Sequence, residues 1–484
     1  MLFNSLEYLI FFPIVVALYY ALNHKWRWLL LLAASYFFYM SWKAEYVILI
    51  MVSTLVDYWA GLQMGKAGSR KKKKPYLVFS IIVNLGILAG FKYLNFFSDN
   101  VNVLLGDLNI FYRIPELKVL LPVGISFYTF QTLSYSIDIY RGITRPEKHL
   151  GRFALYVSYF PQLVAGPIER STNLLPQLHE NKPFNPQNLI SGSKLMLWGF
   201  FKKIVIADRI GIYVTSIYAN PGEHTGLPVI LATVLFAIQL YCDFSAYTDI
   251  ARGTARLMGI ELMKNFNRPL IAKSLTDFWN RWHISLTTWF RDYLYFSLPD
   301  KVGNKVRVWR LQLNIIITFL LMGLWHGANW TFIVFGLIHG VLLVADDLTK
   351  EPRKVFFHRM GLTKAPFILN SLSILITFSI LVFSVYFFRA SSLQESFLMI
   401  KNSFIFDNFS RSLVDILKDN EIMFAILQIV LLLWAEWYHS RNNLVKVIAA
   451  KPIWLRWSIY IGFIFYVLIF GIINQQQQFI YFQF

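Results

Sequence analysis

Residues 314–330 read "NIIITFLLMGLWHGANW", and the way they fold decides the class of the whole chain. An uncharged apolar run leads to one histidine, His326, then to Gly327-Ala328-Asn329, and a second apolar run follows over 330–345. As a helix, residues 313–325 rise about 20 Å, against a bilayer core of about 30 Å. The flanking segments 300–311 and 349–366 are basic, and lysine and arginine accumulate in cytoplasmic loops. The spacing predicts a hairpin that starts inside, turns at Gly327-Ala328-Asn329 and falls short of the outer surface, with His326 within the membrane thickness. Ionisable groups at that depth are costly and mark substrate or ion paths. The competing reading is a structural imidazole bonded to a backbone carbonyl. Glycines at 323 and 327 leave room around the ring and favour a functional role.

The same character extends through the chain. Of 484 residues, 56% are hydrophobic, 18% aromatic and only 15% charged, with mean hydropathy +0.48. Soluble domains carry about a quarter charged residues, so the fold expected is all-α and polytopic, one integral membrane domain over 1–484. Candidate spans are 6–22, 28–41, 45–63, 76–97, 119–139, 153–168, 193–217, 227–250, 312–326, 330–347, 367–388, 421–438 and 454–473. Several are short or polar, which leaves about eleven crossings plus re-entrant or interfacial helices. The amino-terminal apolar stretch reads as a first span and not as a removed signal. Net charge is +19. In a membrane chain this reflects inner loops rather than nucleic acid, with a secondary reading as a holder of anionic groups such as coenzyme phosphates. A lone cysteine, Cys242, excludes an internal disulfide and a cysteine-based zinc site, and reads as apolar filler.

Loop charge sets the orientation. "HKWR" (24–27), "KAGSRKKKK" (66–74), "YRGITRPEKHLGR" (140–152), 349–366 and "SRNNLVKVIAAKPIWLR" (440–456) are basic and go inside. The 98–118 loop, with Asp99, Asp107 and Glu116 against Arg113 and Lys118, goes outside, as does the balanced 389–420 loop. Both termini, including the tail "NQQQQFIYFQF", then lie outside.

The centre, 140–311, mixes apolar runs with prolines and charges. Irregular backbone is tolerated in a bilayer only when packed in protein or lining a wet cavity, so the site is sought there. In "SLTDFWNRWHISLTTWFRDYLYF" (274–296), Ser274 and Asp277 have capping-box spacing and start a helix. Trp279, Trp282, Leu286, Trp289, Phe290 and Tyr293 form one broad stripe. Thr276, Asn280, His283, Thr287 and Arg291 form a polar stripe beside it, which suits an interfacial helix flanking a cavity. Spacing alone favours headgroup contact for His283. Asp243 and Asp249 in "YCDFSAYTD" could orient a histidine or hold a helix end. His339 reads as structural, and histidines 24, 149, 179, 224, 358 and 439 fall in loops. No P-loop, dinucleotide fingerprint, zinc motif or G-x-S-x-G is present, and no metal is expected.

At these residues the chain resembles the membrane-bound O-acyltransferases, in particular the branch of bacterial alginate O-acetylase. The blocks "FKYLNFF", "LLPVGISFYTFQTLSYSIDIYRG", "YFPQLVAGPIER", "GFFKKIVIAD", "QLYCDFSAYTDIARG", "NFNRPLIAKSLTDFWNRWHISLTTWFRDYLY" and "LMGLWHGANWTFIVFGLIHG" look like that family in its order, within a core of about 1–345. Beyond it, C-terminal helices over 367–484 share only hydropathy. The resemblance implies a ring of membrane helices around a central funnel or tunnel. It places the family's active-site histidine on His326 and its second histidine on His283, and it implies a cytoplasmic thioester donor, acetyl-CoA, with no tightly bound cofactor. It also implies periplasmic or membrane-anchored acetyltransferase partner proteins that modify a polysaccharide. It does not decide whether Asp243, Tyr247, Asp249 or Asn329 touches substrate.

The expected function is an inner-membrane O-acetyltransferase for an exopolysaccharide such as alginate, or for a cell-wall polymer. His326 is the expected general base, because a neutral imidazole can take a proton from an attacking hydroxyl. His283 would position the thioester or assist proton transfer, and Arg281 and Arg291 would hold the donor. Rival readings are D-alanyl or other acyl transfer from a carrier-protein thioester, and a proton-coupled transporter. The absence of an inverted repeat counts against the transporter.

Overall fold

Apolar periodicity becomes helix almost throughout. A computed structural model describes residues 1–110, 112–117, 119–302, 305–473 and 478–480. Lys118 and most of the C-terminal tail, 474–477 and 481–484, lie outside the described residues, so the sequence expectations placed on them do too.

The chain opens with α1 (Leu6–Ala21), α2 (His24–Met40), α3 (Val47–Lys66), α4 (Arg70–Leu88), α5 (Leu94–Asp107) and α6 (Ile125–Arg141). Ser5 and Ser69 start α1 and α4 by accepting the backbone N–H groups of Tyr8 and Lys72. A π-helical turn, Ala89–Tyr93, joins α4 and α5 into one rod over Arg70–Asp107. The span expected at 76–97 thus runs on to Asp107 and consumes much of the expected outer loop.

The centre holds α7 (Leu150–Ser158), α8 (Ser171–His179), α9 (Pro186–Phe200), α10 (Asp208–Ala219), α11 (Leu227–Leu257), α12 (Leu275–Trp279) and α13 (Ile284–Trp289). The span expected at 153–168 is corrected: helix stops at Ser158, and buried turns follow through Gly166. Pro161 and Pro167 remove backbone donors there. The span expected at 193–217 is α9, a π-helical turn Phe201–Ala207, and α10. The chain closes with α14 (Val308–His326), α15 (Trp330–Leu348), α16 (Lys350–Arg359), α17 (Pro366–Arg389), α18 (Leu393–Asn402), α19 (Phe409–Lys418), α20 (Asn420–Asn442), α21 (Leu444–Ala449) and α22 (Ile453–Phe470). Among the described residues, eight helical segments are long and apolar enough to cross a membrane, fewer than the eleven or so expected. This is a multi-pass membrane protein.

The core is built on α11, whose most apolar window is 72% buried within the protein. Charge is buried there in matched form. Lys203, on the π-helical turn after α9, bridges Asp208 and Asp243 at 2.8 Å each. Lys202 pairs with Asp249 and donates to Ser245, both at 2.8 Å. Removing one partner of such a pair strands the other, at a cost of about 3–5 kcal/mol.

The α14–α15 hairpin differs from expectation in two ways. Each arm has 19 residues, about 28 Å and close to a full crossing, because each helix continues into its basic flank. The glycines also leave no room at His326. A Cβ on Gly323 would stand 2.2 Å from the Phe332 carbonyl oxygen, and one on Gly336 would stand 2.3 Å from the Phe319 carbonyl oxygen. A Cβ on Gly327 would meet the Phe332 ring at 2.2 Å. These glycines let the two backbones touch, as small residues do between membrane helices. Gly336→Val is therefore expected to lower the unfolding temperature in detergent, by about 1–3 kcal/mol of overpacking or more, with Gly336→Ala intermediate. Unfolding of the valine variant at the parent's temperature would show that the close approach carries no stability.

Candidate active site

His326 is the last residue of α14; the helix stops because Gly327 is extended, at φ −165°. The imidazole is 4% exposed and lies against Phe388 at 5.3 Å and Phe335 at 6.2 Å between ring centroids. His283 reaches the same place from another element. The helix expected over 274–296 is broken: α12 ends at Trp279, and His283 adopts the left-handed conformation (φ 41°, ψ 54°) before α13 begins. That conformation is uncommon for a residue with a side chain. A strap at 265–267 satisfies the backbone freed by the break. The Asn265 carbonyl accepts from Ile284 N–H at 2.9 Å, the Asn265 side chain accepts from Ser285 N–H at 3.2 Å, and Asn267 N–H donates to the Arg281 carbonyl at 2.9 Å. Ser274 caps α12 as expected, accepting from Asp277 N–H at 3.1 Å. The interfacial reading is corrected: Trp279, Trp282, Leu286, Trp289 and Phe290 are buried in protein, and His283 is 0% exposed.

The two imidazoles converge on Trp325. Its ring lies 5.0 Å from His326 and 5.9 Å from His283. Phe127 packs on the indole at 5.4 Å and Phe130 stacks on it at 5.7 Å. From α11, Phe244 meets His283 edge-on at 4.6 Å.

Lys92 and Tyr93, within the "FKYLNFF" block but assigned no role by their spacing, hold this corner. The last carbonyls of a helix have no partner within it. Lys92 Nζ donates to the carbonyl oxygens of Trp325 at 2.6 Å and His326 at 3.2 Å, and to Ser126 Oγ at 3.3 Å. The Tyr93 hydroxyl donates to the Leu324 carbonyl at 3.1 Å. Three successive carbonyls at the end of α14 are thus capped from the π-helical turn of another helix, where the ammonium also meets the negative end of the helix dipole.

The remaining candidates are engaged elsewhere. Asp243 is held by Lys203 and accepts the Ile480 N–H at 2.7 Å. Tyr247 packs between Phe3 at 4.7 Å and Phe479 at 5.0 Å. Asp249 faces Lys202 and Arg252. Arg281 pairs with Asp277 at 2.6 Å, and Arg291, exposed, pairs with Asp292 at 2.9 Å. Asn329 caps α15 by accepting from Thr331 N–H, and its amide donates to the Ser391 carbonyl. His339, read as structural, bonds Ser384 Oγ at 3.0 Å. Cys242 is buried in α11.

A crevice of about 740 Å³ opens at the basic ends of α4 and α6, lined by Arg70, Tyr140, Arg141, Tyr293 and Phe296 among others. From it a file of rings leads to the histidines: Tyr293 to Trp289 at 5.2 Å, Trp289 to Phe130 at 3.9 Å, and Phe130 to Trp325.

Comparison with known proteins bears on this arrangement. The model of the membrane-bound O-acyltransferase family matches residues 145–388, which include both histidines. The chain is 38% identical over 414 residues to the probable alginate O-acetylase AlgI of Pseudomonas aeruginosa, covering 85% of this chain and 76% of that one. It is 32% identical over 408 residues to the peptidoglycan O-acetyltransferase of Helicobacter pylori, covering 79% and 74%. To the teichoic acid D-alanyltransferase of Bacillus subtilis it is 31% identical over 242 residues, covering 48% and 61%. Converging imidazoles inside a helical membrane core, together with similarity on this scale, make the chain an acyltransferase that belongs to the membrane-bound O-acyltransferase family.

Proposed function

We propose that this enzyme transfers an acetyl group from acetyl-CoA on the cytoplasmic side toward a polysaccharide outside a bacterial inner membrane. The observation that carries the reading is the convergence of His326 and His283 on Trp325 within the membrane-embedded core. Acetyl is favoured over D-alanyl because the relatives named for acetyl transfer match far more of the chain than those named for D-alanyl transfer. The acceptor class is an exopolysaccharide such as alginate, or a cell-wall polymer, reached through periplasmic or membrane-anchored acetyltransferase partners. The charge pattern puts both termini outside.

A thioester is already activated, so positioning and proton removal are sufficient chemistry. His326 takes the proton of the attacking hydroxyl as its oxygen bonds to the thioester carbonyl carbon. The carbon–sulfur bond then breaks, and the thiolate receives the proton from the imidazolium. His283, fixed by the break between α12 and α13, positions the thioester. The donor's phosphates enter by this crevice, where the exposed Arg70 offers planar donors suited to them, while Arg141 already donates to the Asp292 carbonyl and Ser297 Oγ. With Arg281 and Arg291 paired to aspartates, the crevice is the better donor entrance.

Incubating purified protein with isotope-labelled acetyl-CoA, and in parallel with carrier-protein thioesters, tests this. Free CoA thiol is expected to appear in the first arm, with the label on a hydroxyl acceptor. Consumption of carrier-bound thioester alone would replace acetyl-CoA with a carrier as donor.

A further inference from the structure

Trp325 is fixed more firmly than a filler ring requires. Its carbonyl is held by Lys92, its faces meet Phe130 and Phe127, and the Lys92 ammonium stands 5.7 Å from its ring centroid. The indole is 4% exposed, and its Nε1–H has no hydrogen-bond acceptor among the described residues. The next indole in the file, Trp289, donates to the Phe130 carbonyl at 2.8 Å, as buried indoles usually do. A buried donor left without an acceptor costs about 1–3 kcal/mol, and the ring that carries this one lies 5.0 Å from His326 and 5.9 Å from His283 between centroids.

We infer that the Trp325 indole N–H donates to the carbonyl oxygen of the thioester as that oxygen becomes negative. The inference rests on the acyl-transfer reading above. As the acceptor oxygen bonds to the carbonyl carbon and its proton passes to His326, the C=O π pair moves onto the carbonyl oxygen. There the indole N–H bonds it. When the pair returns, the carbon–sulfur bond breaks and the thiolate takes the proton from His326. A donor fixed in place before the reaction, in a site closed to water, gains most when charge develops. The stack on Phe130 and the grip of Lys92 on the backbone supply that fixity.

The first variant of the test replaces the N–H and nothing else. Trp325 is exchanged for 3-benzothienylalanine, an isostere with sulfur in place of N–H, and Trp325→Phe serves as a second variant that keeps an aromatic ring. Single-turnover rate, kcat, KM for acetyl-CoA and unfolding temperature are measured for both. The expected result is a fall in kcat of about 10²–10³-fold, with KM and unfolding temperature near those of the parent. Parental kcat in the benzothienyl variant overturns the inference, as does a change confined to KM. His326→Ala run alongside separates the two claims. If it is inactive while the benzothienyl variant turns over normally, only the role of Trp325 falls; full activity in both removes the acyl-transfer reading of this site.

Discussion

His326→Ala is expected to lower acetyl transfer by about 10³-fold or more while leaving a folded protein. A positioned general base contributes about 10²–10⁴-fold, and the other two buried histidines among the described residues are placed differently. His283 sits across the indole, and His339 is bonded to Ser384. The ring packs against Phe388 and Phe335, so truncation opens a small cavity there, and the fold is expected to survive it. His326→Gln retains volume and polarity and is expected to be equally inactive, which separates proton transfer from packing. His339→Ala is the control, with lower stability and kcat near the parent's. Turnover within a few-fold of the parent in a well-folded His326→Ala protein would remove the general base from this position.

The sequence carried the class of fold and one half of the site because both are written in local pattern. Short uncharged runs on either side of Gly327-Ala328-Asn329 put His326 at a helix end, and the structure keeps it there. His283 was legible only through family resemblance. Its placement depends on a left-handed residue in the middle of a stretch without glycine or proline, and helical spacing across 274–296 points to an unbroken rod. Lys92 was illegible for a related reason. Near the end of an apolar span a lysine reads as an interfacial anchor, but a π-helical turn inserts an extra residue and turns consecutive side chains toward one neighbour. Lys92 and Tyr93 can therefore both reach α14, which a 3.6-residue period does not predict. Asp243 and Asp249 misled in the opposite direction. Carboxylates in an apolar stretch look functional, yet their partners Lys203 and Lys202 lie on a different helix, and sequence spacing gives no way to pair them.

Lys92→Met is expected to lower kcat by about 10²-fold with little change in KM for the donor. Methionine keeps the length of the side chain and removes the ammonium, so the Trp325 and His326 carbonyls lose the donor that caps them at the end of α14. Each unpaired carbonyl costs about 1–3 kcal/mol, which the last helical turn can relieve by rotating. His326 is in that turn, and a displacement of about 1 Å at a reacting group is enough for a loss of that size. Arginine at 92 retains the charge and the donors and is expected to recover part of the rate. Tyr93→Phe removes one hydrogen bond, to Leu324, one residue farther from His326 than Trp325, and its effect is expected to stay within tenfold. The informative comparison is kcat per folded molecule. If Lys92 only stabilises the helix end, the methionine variant unfolds at lower temperature while its folded fraction turns over at the parental rate. If the clamp sets the position of His326, the rate falls at temperatures where the variant remains fully folded.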